Sequence, residues 1–366
     1  MKELENKYPG IEIFWEKMKK TSQNPAHHGE GDVYTHTELV MEKLQALPVF
    51  RSLSEEHQEI LLLSAALHDA GKSVTTRMEN GEWVSPHHSS VGAQRVREFL
   101  WRDCGLCGSS EKQRFREAVC NLIQFHSLPL FAFERPEGLT QLAKLAEAPA
   151  TVEMLCLLAE ADVLGRIAPD VPQLLEQVQL TSALAEENGM LHSPMQFASP
   201  VTKRAWFSGR NVYPGQELYD DTWGEVIMLS GLPGVGKDTW IRKNCDLPMI
   251  SLDEIRKELK TDPNENQGAI VREGRERAKT LLRKKQPFVW NATDLTQSVR
   301  AEQISLFEAH GAAVKIVYLE TDWKRNAEQN RNRKATVPDR IMDKLLGIFQ
   351  PPMPWEAREV QWITDQ

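Results

Sequence analysis

Between Val226 and Ile241 the chain reads VIMLSGLPGVGKDTWI: a short apolar run, three glycines, a lysine and the start of a helical pattern. Gly231, Gly234 and Gly236 let backbone amides approach an anion with no Cβ in the way, and the helix that follows turns its positive end toward the same point. Lys237 adds a point charge suited to β- and γ-phosphates. A G-x-x-x-x-G-K spacing between a strand and a helix is a phosphate-binding loop. Gly231, Gly234, Gly236, Lys237, Asp238 and Thr239 are therefore expected to bind ATP or another nucleoside triphosphate with Mg²⁺; an ordinary glycine turn is the plainer alternative. One position departs from the pattern. The residue after the lysine, commonly Ser or Thr with its hydroxyl on Mg²⁺, is Asp238, which also offers a hard oxygen ligand.

Three later stretches carry groups that phosphoryl transfer would use. In SLDEIRKEL, Asp253 follows a short apolar run and Arg256 stands three residues on, on the same helix face. A carboxylate there could accept a proton from an attacking hydroxyl while the arginine holds a phosphate of the acceptor; a helix N-cap at Asp253 with a solvent-facing arginine fits the spacing equally. WNATDLTQSVR places Asn291, Thr293 and Arg300 at a strand end, available to a phosphorylated acceptor. WKRNAEQNRNRKATVP is a basic helix running into Val-Pro. Arg325, Arg331 and Arg333 could close over the triphosphate, or form a solvated face.

A second set of residues lies upstream: His36, His68-Asp69, His88, His126 and Asp162. Imidazole and carboxylate together suit divalent transition metals. Asp69, at the end of the apolar run EILLLSAAL, could bridge two ions and so activate water against a phosphoester. Taken singly, each histidine reads as hydrogen-bonded core and Asp162 as a cap; the order of the set carries the reading.

The elements that must position these residues fall into two kinds. Thr35–Leu47, Glu56–Leu67, Val91–Trp101, Ala118–Phe125 and Thr151–Leu158 show helical spacing, and no strand is expected before residue 200. From the glycine loop onward, strands at 249–252, 287–292 and 314–320 alternate with helices at 239–243, 268–285, 298–309 and 323–330, the pattern of a parallel sheet wrapped by helices. Residues 192–222 mix Pro, Gly, Ser and aromatics without period and read as a connector; its Trp206 and Tyr213 either pack on a domain or stack on a base. The expected architecture is thus an all-α domain over 1–191, the connector, and an α/β P-loop domain with a parallel sheet over 223–366.

Charge divides at the same place. Residues 1–222 carry 21 Lys+Arg against 31 Asp+Glu and residues 223–366 carry 23 against 21, which sums to the chain's −8. So acidic a chain is no general nucleic-acid coat, although a small site gripping one or two nucleotides remains open. The five cysteines, with one isolated C-x-x-C at Cys104 and Cys107, point to a reducing cytoplasm rather than to disulfides or structural zinc. No window is long and apolar enough to span a membrane, and the charged N-terminus does not read as a secretory signal.

The order H…HD…H…H…D resembles the HD-domain phosphohydrolases. HDAGKSVTT, HHSSVGA and ADVLGR resemble the local text of the HD domain attached to some bacterial tRNA nucleotidyltransferases. The resemblance implies metal ligands at His36, His68, Asp69, His88, His126 and Asp162, a contact from Lys72 to substrate phosphate, and the same or a salt bridge for Arg166. Ser89 stands where that family often has Glu. GLPGVGKDT, D-x-x-R and an Asn/Arg-rich lid running into Val-Pro resemble the phage-type polynucleotide 5′-kinases. This implies a general base at Asp253, an acceptor-phosphate arginine at Arg256 and lid arginines at Arg331 and Arg333; that family's strand-end Asp is Asn291 here.

The pairing resembles the bifunctional end-healing enzymes called HD-Pnk. It implies a kinase that phosphorylates 5′-OH ends and a phosphoesterase, holding two divalent transition-metal ions, that removes 2′,3′-cyclic, 2′- or 3′-phosphate. Its partners would be RNA or DNA ends, with a ligase acting next. Two other readings fit the motifs: a nucleoside or sugar kinase fused to a nucleotide hydrolase, and a hydrolase gated by a non-catalytic nucleotide sensor.

Overall fold

Asp32 accepts the amide hydrogen of Thr35 at 2.9 Å and so starts helix α1, Val33–Ala46. Ser54 caps α2, Glu55–Leu67, in the same way, and Thr151 caps α5, Val152–Leu164. Between them run α3, His88–Arg102, and α4, Ser110–Phe125. The computed structural model describes residues 1–260, 267–333 and 336–364. The chain divides into two compact units, one of Met1–Leu106 with Glu111–Gln196 and a second of Cys107–Ser110 with Phe197–Gln366.

In the first unit α5 is buried nearly all round, from Val152 through Val163, so it is the central helix against which α1 and α2 pack. Val40 and Leu44 of α1, Leu61 and Leu67 of α2, and Leu155 and Leu158 of α5 have no exposed surface. Each such side chain contributes about 1.5–3 kcal/mol, enough in sum to fix the helix ends where His68, Asp69 and Asp162 project. The unit is not purely helical. Arg77–Glu79 pairs antiparallel with Glu82–Val84, a short ribbon absent from the expected elements. Its turn, Asn80-Gly81, has φ of 51° and 86°, the left-handed pair that an Asn-Gly hairpin turn uses. Each strand has three residues and little burial, so no alternating apolar run marks them.

The second unit is built on five parallel strands: β1, Glu225–Ser230; β2, Met249–Ser251; β3, Phe288–Asn291; β4, Ala313–Leu319; and β5, Glu359–Ile363. Their order is β2-β3-β1-β4-β5. From β1 the chain goes to β2 and β3 on one side, then crosses to β4 and β5 on the other, and the crevice at the carboxyl end of β1 is where such sheets bind ligands. β1, β3 and β4 are near-continuous apolar runs because helices cover both faces. Around them lie α6, Lys237–Asn244; α7, Leu252–Glu258; α8, Gln267–Arg283; α9, Gln297–Ala309; and α10, Trp323–Arg331. β5 is not among the strands expected from sequence: it is an edge strand with alternating exposure and too short a pattern to stand out.

Residues 197–222 belong to this unit and are bonded to it. The helix Pro200–Phe207 is capped by Ser199, and its Arg204 pairs with Glu308 of α9 at 2.6 Å. Trp206 packs on Phe197 and Phe207, whereas Tyr213 is 78% exposed.

Candidate functional site

At the ends of the first unit's helices, His36, His68, Asp69, His126 and Asp162 are all at most 3% exposed, and His88 is partly buried beside them. His68, His88 and His126 share one device. Each places Nδ1 2.8 Å from the carbonyl of the residue three positions back: Ala65, Ser85 and Ile123. A carbonyl only accepts, so the proton sits on Nδ1 and the Nε2 lone pair faces the cluster. These lone pairs meet a carboxylate: Asp69 Oδ2 is 3.3 Å from His68 Nε2, and Asp69 Oδ1 is 3.5 Å from His88 Nε2 and 3.9 Å from His126 Nε2.

Acceptors facing acceptors need a cation between them. His68 Nε2 and Asp69 Oδ1 are fully buried and without a hydrogen bond among the described residues, at a cost of roughly 1–3 kcal/mol for each such atom. Burial raises the Asp69 carboxyl, but Lys72, 2.7 Å away, and the neighbouring histidines hold it well below the usual carboxylate range. Burial pushes the His126 imidazolium down to about 3 and lowers His88 too, so both stay neutral at pH 7. Neutral imidazoles around an ionised carboxylate are a divalent-metal donor set. The ligand atoms fall into overlapping groups, each within 4.8 Å: His36, His68 and Asp69; Asp69, His88 and His126; and a third of His28, Glu30 and His36. Asp69 belongs to two of them, the position of a bridging ligand.

His28 and Glu30 were missed in the sequence. Glu30 Oε1 lies 2.8 Å from both His28 Nδ1 and His36 Nδ1, while Oε2 accepts the amide hydrogen of Ile167. The Glu30 carboxylate thus stands against His36 Nδ1, which makes no hydrogen bond of good geometry among the described residues, while Nε2 faces Asp162 Oδ1 at 3.0 Å. Burial opposes the ionisation of Glu30, and the two histidines outweigh it, holding the group well below the usual carboxylate range. The residues sit in a loop before α1, where no periodicity singles them out; the run HHGE was the available signal. Arg166, expected to touch phosphate or form a salt bridge, does the latter, at 2.8 Å from Asp162 Oδ2. Lys72 Nζ also donates to Gln23 Oε1 at 2.8 Å, and so keeps a fixed place beside Asp69.

In the second unit the loop between β1 and α6 takes left-handed backbone at Gly231, Gly234 and Gly236. A Cβ at Gly231 would stand 2.5 Å from the Leu319 carbonyl, so that position admits only glycine. Lys237 Nζ donates to the carbonyls of Gly231 and Leu232 at 2.8 and 3.0 Å. Burial, then the nearby Arg333, lowers its ammonium to about 8, with Asp253, Asp238 and Asp294 opposing. Asp238 Oδ1 accepts a hydrogen bond from Asn291 Nδ2 at 2.8 Å, and Thr239 Oγ1 accepts one from Arg242.

Asp253 is not the helix cap. Ser251 caps α7 by accepting the amide hydrogen of Glu254, which leaves the Asp253 carboxylate to Arg256, its close ion-pair partner, and to Arg333, whose Nη2 is 3.7 Å away. The candidate base, acceptor arginine and one lid arginine therefore meet. Arg325 and Arg331 lie exposed on α10; Lys334 and Ala335 of the lid stretch are outside the described residues. The Thr293 carbonyl accepts from Gly231 N at 3.1 Å and braces the loop.

Arg300 is the clearest departure. Expected to bind an acceptor, it is wholly buried, with Nε and Nη2 on Glu356 at 2.7 and 2.8 Å and Nη1 on the carbonyls of Asp294 and Gln350. Four of its five N–H donors are held by these partners and the side chain has no exposed surface, so it reaches no substrate. Two other residues escaped the sequence reading. Asn326 of α10 donates to the Pro233 carbonyl at 3.0 Å, tying that helix to the glycine loop. Asp294 is buried behind the loop and accepts from Trp290 Nε1 at 2.9 Å; burial raises it to about 7.

Comparison with known proteins divides the chain along the same line. The family model described as HD domain matches residues 33–166, and the one described as AAA domain matches residues 226–352. No curated protein matches the chain. Among solved structures, a gluconokinase from Sinorhizobium meliloti 1021 is similar, with 18% identity, 38% of this chain and 82% of that chain covered, and a TM-score of 0.29. The chain thus carries a helical HD domain followed by an α/β P-loop domain on a five-stranded parallel sheet.

Proposed function

We propose that this protein heals nucleic-acid breaks, phosphorylating 5′-OH ends with ATP and removing 2′,3′-cyclic, 2′- or 3′-phosphate from the opposing ends. The observation that carries the reading is the Asp253–Arg256–Arg333 constellation, of which Asp253 and Arg333 act electrostatically on Lys237 of the glycine loop. A pure nucleotide sensor has no need of a carboxylate base set between arginines. The metal-ligand cluster on the same chain supplies the complementary chemistry, because a break that leaves a cyclic phosphate also leaves a 5′-OH.

In the kinase reaction Asp253 takes the proton of the 5′-OH as its oxygen attacks the γ-phosphorus in line. The bond to the β–γ bridging oxygen breaks, and ADP leaves with the electron pair. Lys237 and Arg333 neutralise charge on the transferring group, while Arg256 holds a phosphate of the acceptor. In the HD domain His36, His68, Asp69, His88, His126 and Asp162 would hold the divalent ions. Those ions, when bound, supply Lewis acidity and a water of lowered pKa. Lys72 keeps Asp69 ionised and offers its ammonium to the phosphate; Arg166 orients Asp162.

The test is label transfer from γ-labelled ATP to 5′-OH RNA and DNA oligonucleotides, beside hydrolysis of a 2′,3′-cyclic-phosphate end with Mn²⁺, Co²⁺, Ni²⁺ or Cu²⁺. Lys237→Ala and Asp253→Ala each lower transfer by roughly 100-fold or more and spare hydrolysis, and Asp69→Ala does the reverse. Wild-type protein that phosphorylates neither polymer sinks the proposal and favours a small acceptor.

A further inference from the structure

In P-loop enzymes the Mg²⁺ of the nucleotide is ordinarily held by a hydroxyl, from the Ser or Thr after the loop lysine, and by a carboxylate at the end of a neighbouring strand. Both positions differ here, and they differ in a complementary way. The residue after Lys237 is Asp238, in the first turn of α6. The last residue of β3, the strand beside β1, is Asn291, in register with Leu229 just ahead of the loop. The two side chains touch, Asn291 Nδ2 to Asp238 Oδ1 at 2.8 Å. A carboxylate only accepts, so this contact fixes the amide's orientation. Asn291 is 7% exposed, so its rotamer is set by packing. It occupies Oδ1; Asp238 Oδ2 makes no hydrogen bond among the described residues. The other carboxylate of the β3 loop, Asp294, is engaged by Trp290 and does not replace it.

We propose that Asp238 and Asn291 have exchanged the two metal-side roles: the P-loop helix supplies the carboxylate that ligates the divalent cation of the nucleotide, and the strand end supplies the neutral group that positions it. One carboxylate serves the ion in either arrangement, so the formal charge at the site is conserved while its location moves across the crevice. The carboxylate also gains a place at a helix N-terminus, where the backbone dipole favours an anion. Asp238 is then a cation ligand and Asn291 a positioning residue. This inference rests on the loop's binding a nucleotide and is indifferent to the acceptor.

The test is a reciprocal exchange read by binding. ATP affinity is measured calorimetrically on the full chain with and without Mn²⁺, and bound Mn²⁺ is followed by electron paramagnetic resonance. Asp238→Ser removes the ligating carboxylate and reduces the Mn²⁺-dependent gain in ATP affinity by roughly tenfold or more. Asp238→Ser combined with Asn291→Asp restores the ordinary arrangement and recovers the gain to within roughly threefold, a rescue that a merely structural pair would not give. Asp238→Asn, isosteric and neutral, gives the same loss and serves where the serine variant fails to fold, as thermal melting reports. Full Mn²⁺ dependence in Asp238→Ser or Asp238→Asn overturns the proposal, as does a folded double variant with no recovery. Wild type that binds no ATP overturns it together with the nucleotide site, whereas failure of the 5′-OH acceptor leaves it standing.

Discussion

At the scale of single residues, what chemistry needs and what spacing reveals coincide only partly. His68-Asp69 was legible because it ends a long apolar helix, and Lys237 because its loop has a fixed spacing. Glu30 was not, because it works through a histidine already assigned, from a loop with no period. Its place 2.8 Å from His36 Nδ1 predicts a measurable role: Glu30→Ala removes the carboxylate charge behind that ring and weakens metal binding by roughly 10–100-fold, as competition with a chelator would show; an unchanged affinity counts against it. Asp294 carries a prediction of another kind. Burial raises its carboxyl from the ordinary 3.8 to about 7. The native state therefore keeps a proton that the unfolded chain releases, and this group makes stability fall as pH rises from about 4 to 7 and stay lower above. Asp294→Asn keeps an acceptor for Trp290 and removes that penalty. It should stabilise the second unit above pH 7, by on the order of 2–4 kcal/mol, and make no difference near pH 4; denaturant melts across that range decide the matter.

At the scale of elements, the α/β alternation was readable because central parallel strands must be apolar on both faces, as β1, β3 and β4 are. The ribbon at 77–84 and the edge strand β5 were not. Neither buries enough to impose a pattern, although Asn80-Gly81 is a local hairpin signal in its own right. Arg300 shows the same limit at longer range. It reads as an exposed charge because its partner stands 56 residues away, beyond any local window. Once buried, the ion pair joins α9 to the segment that leads into β5. Removing either side alone, by Arg300→Ala or Glu356→Ala, leaves a buried charge unpaired and costs about 3–5 kcal/mol. An apolar replacement of both recovers most of the loss. A double-mutant cycle by chemical denaturation checks this, and additive effects of the two single changes would contradict it.

At the scale of the whole molecule, the two matched families share one chain, and each unit has a core of its own. The division was visible in the charge, −10 over residues 1–222 and +2 over the rest. The buried clamp between Arg300 and Glu356 has a consequence for synthesis. At a translation rate of 5–20 residues per second, the carboxylate follows its guanidinium by roughly 3–11 s. At the start of that interval β1 and β3 already exist, and closing the sheet over Arg300 would bury a charge that has no counterpart, at about 3–5 kcal/mol. That penalty disfavours closure of the second unit until Glu356 is made, while the first already has every residue of its helices. A chaperone that shields nascent strands would act on the second unit, in that window.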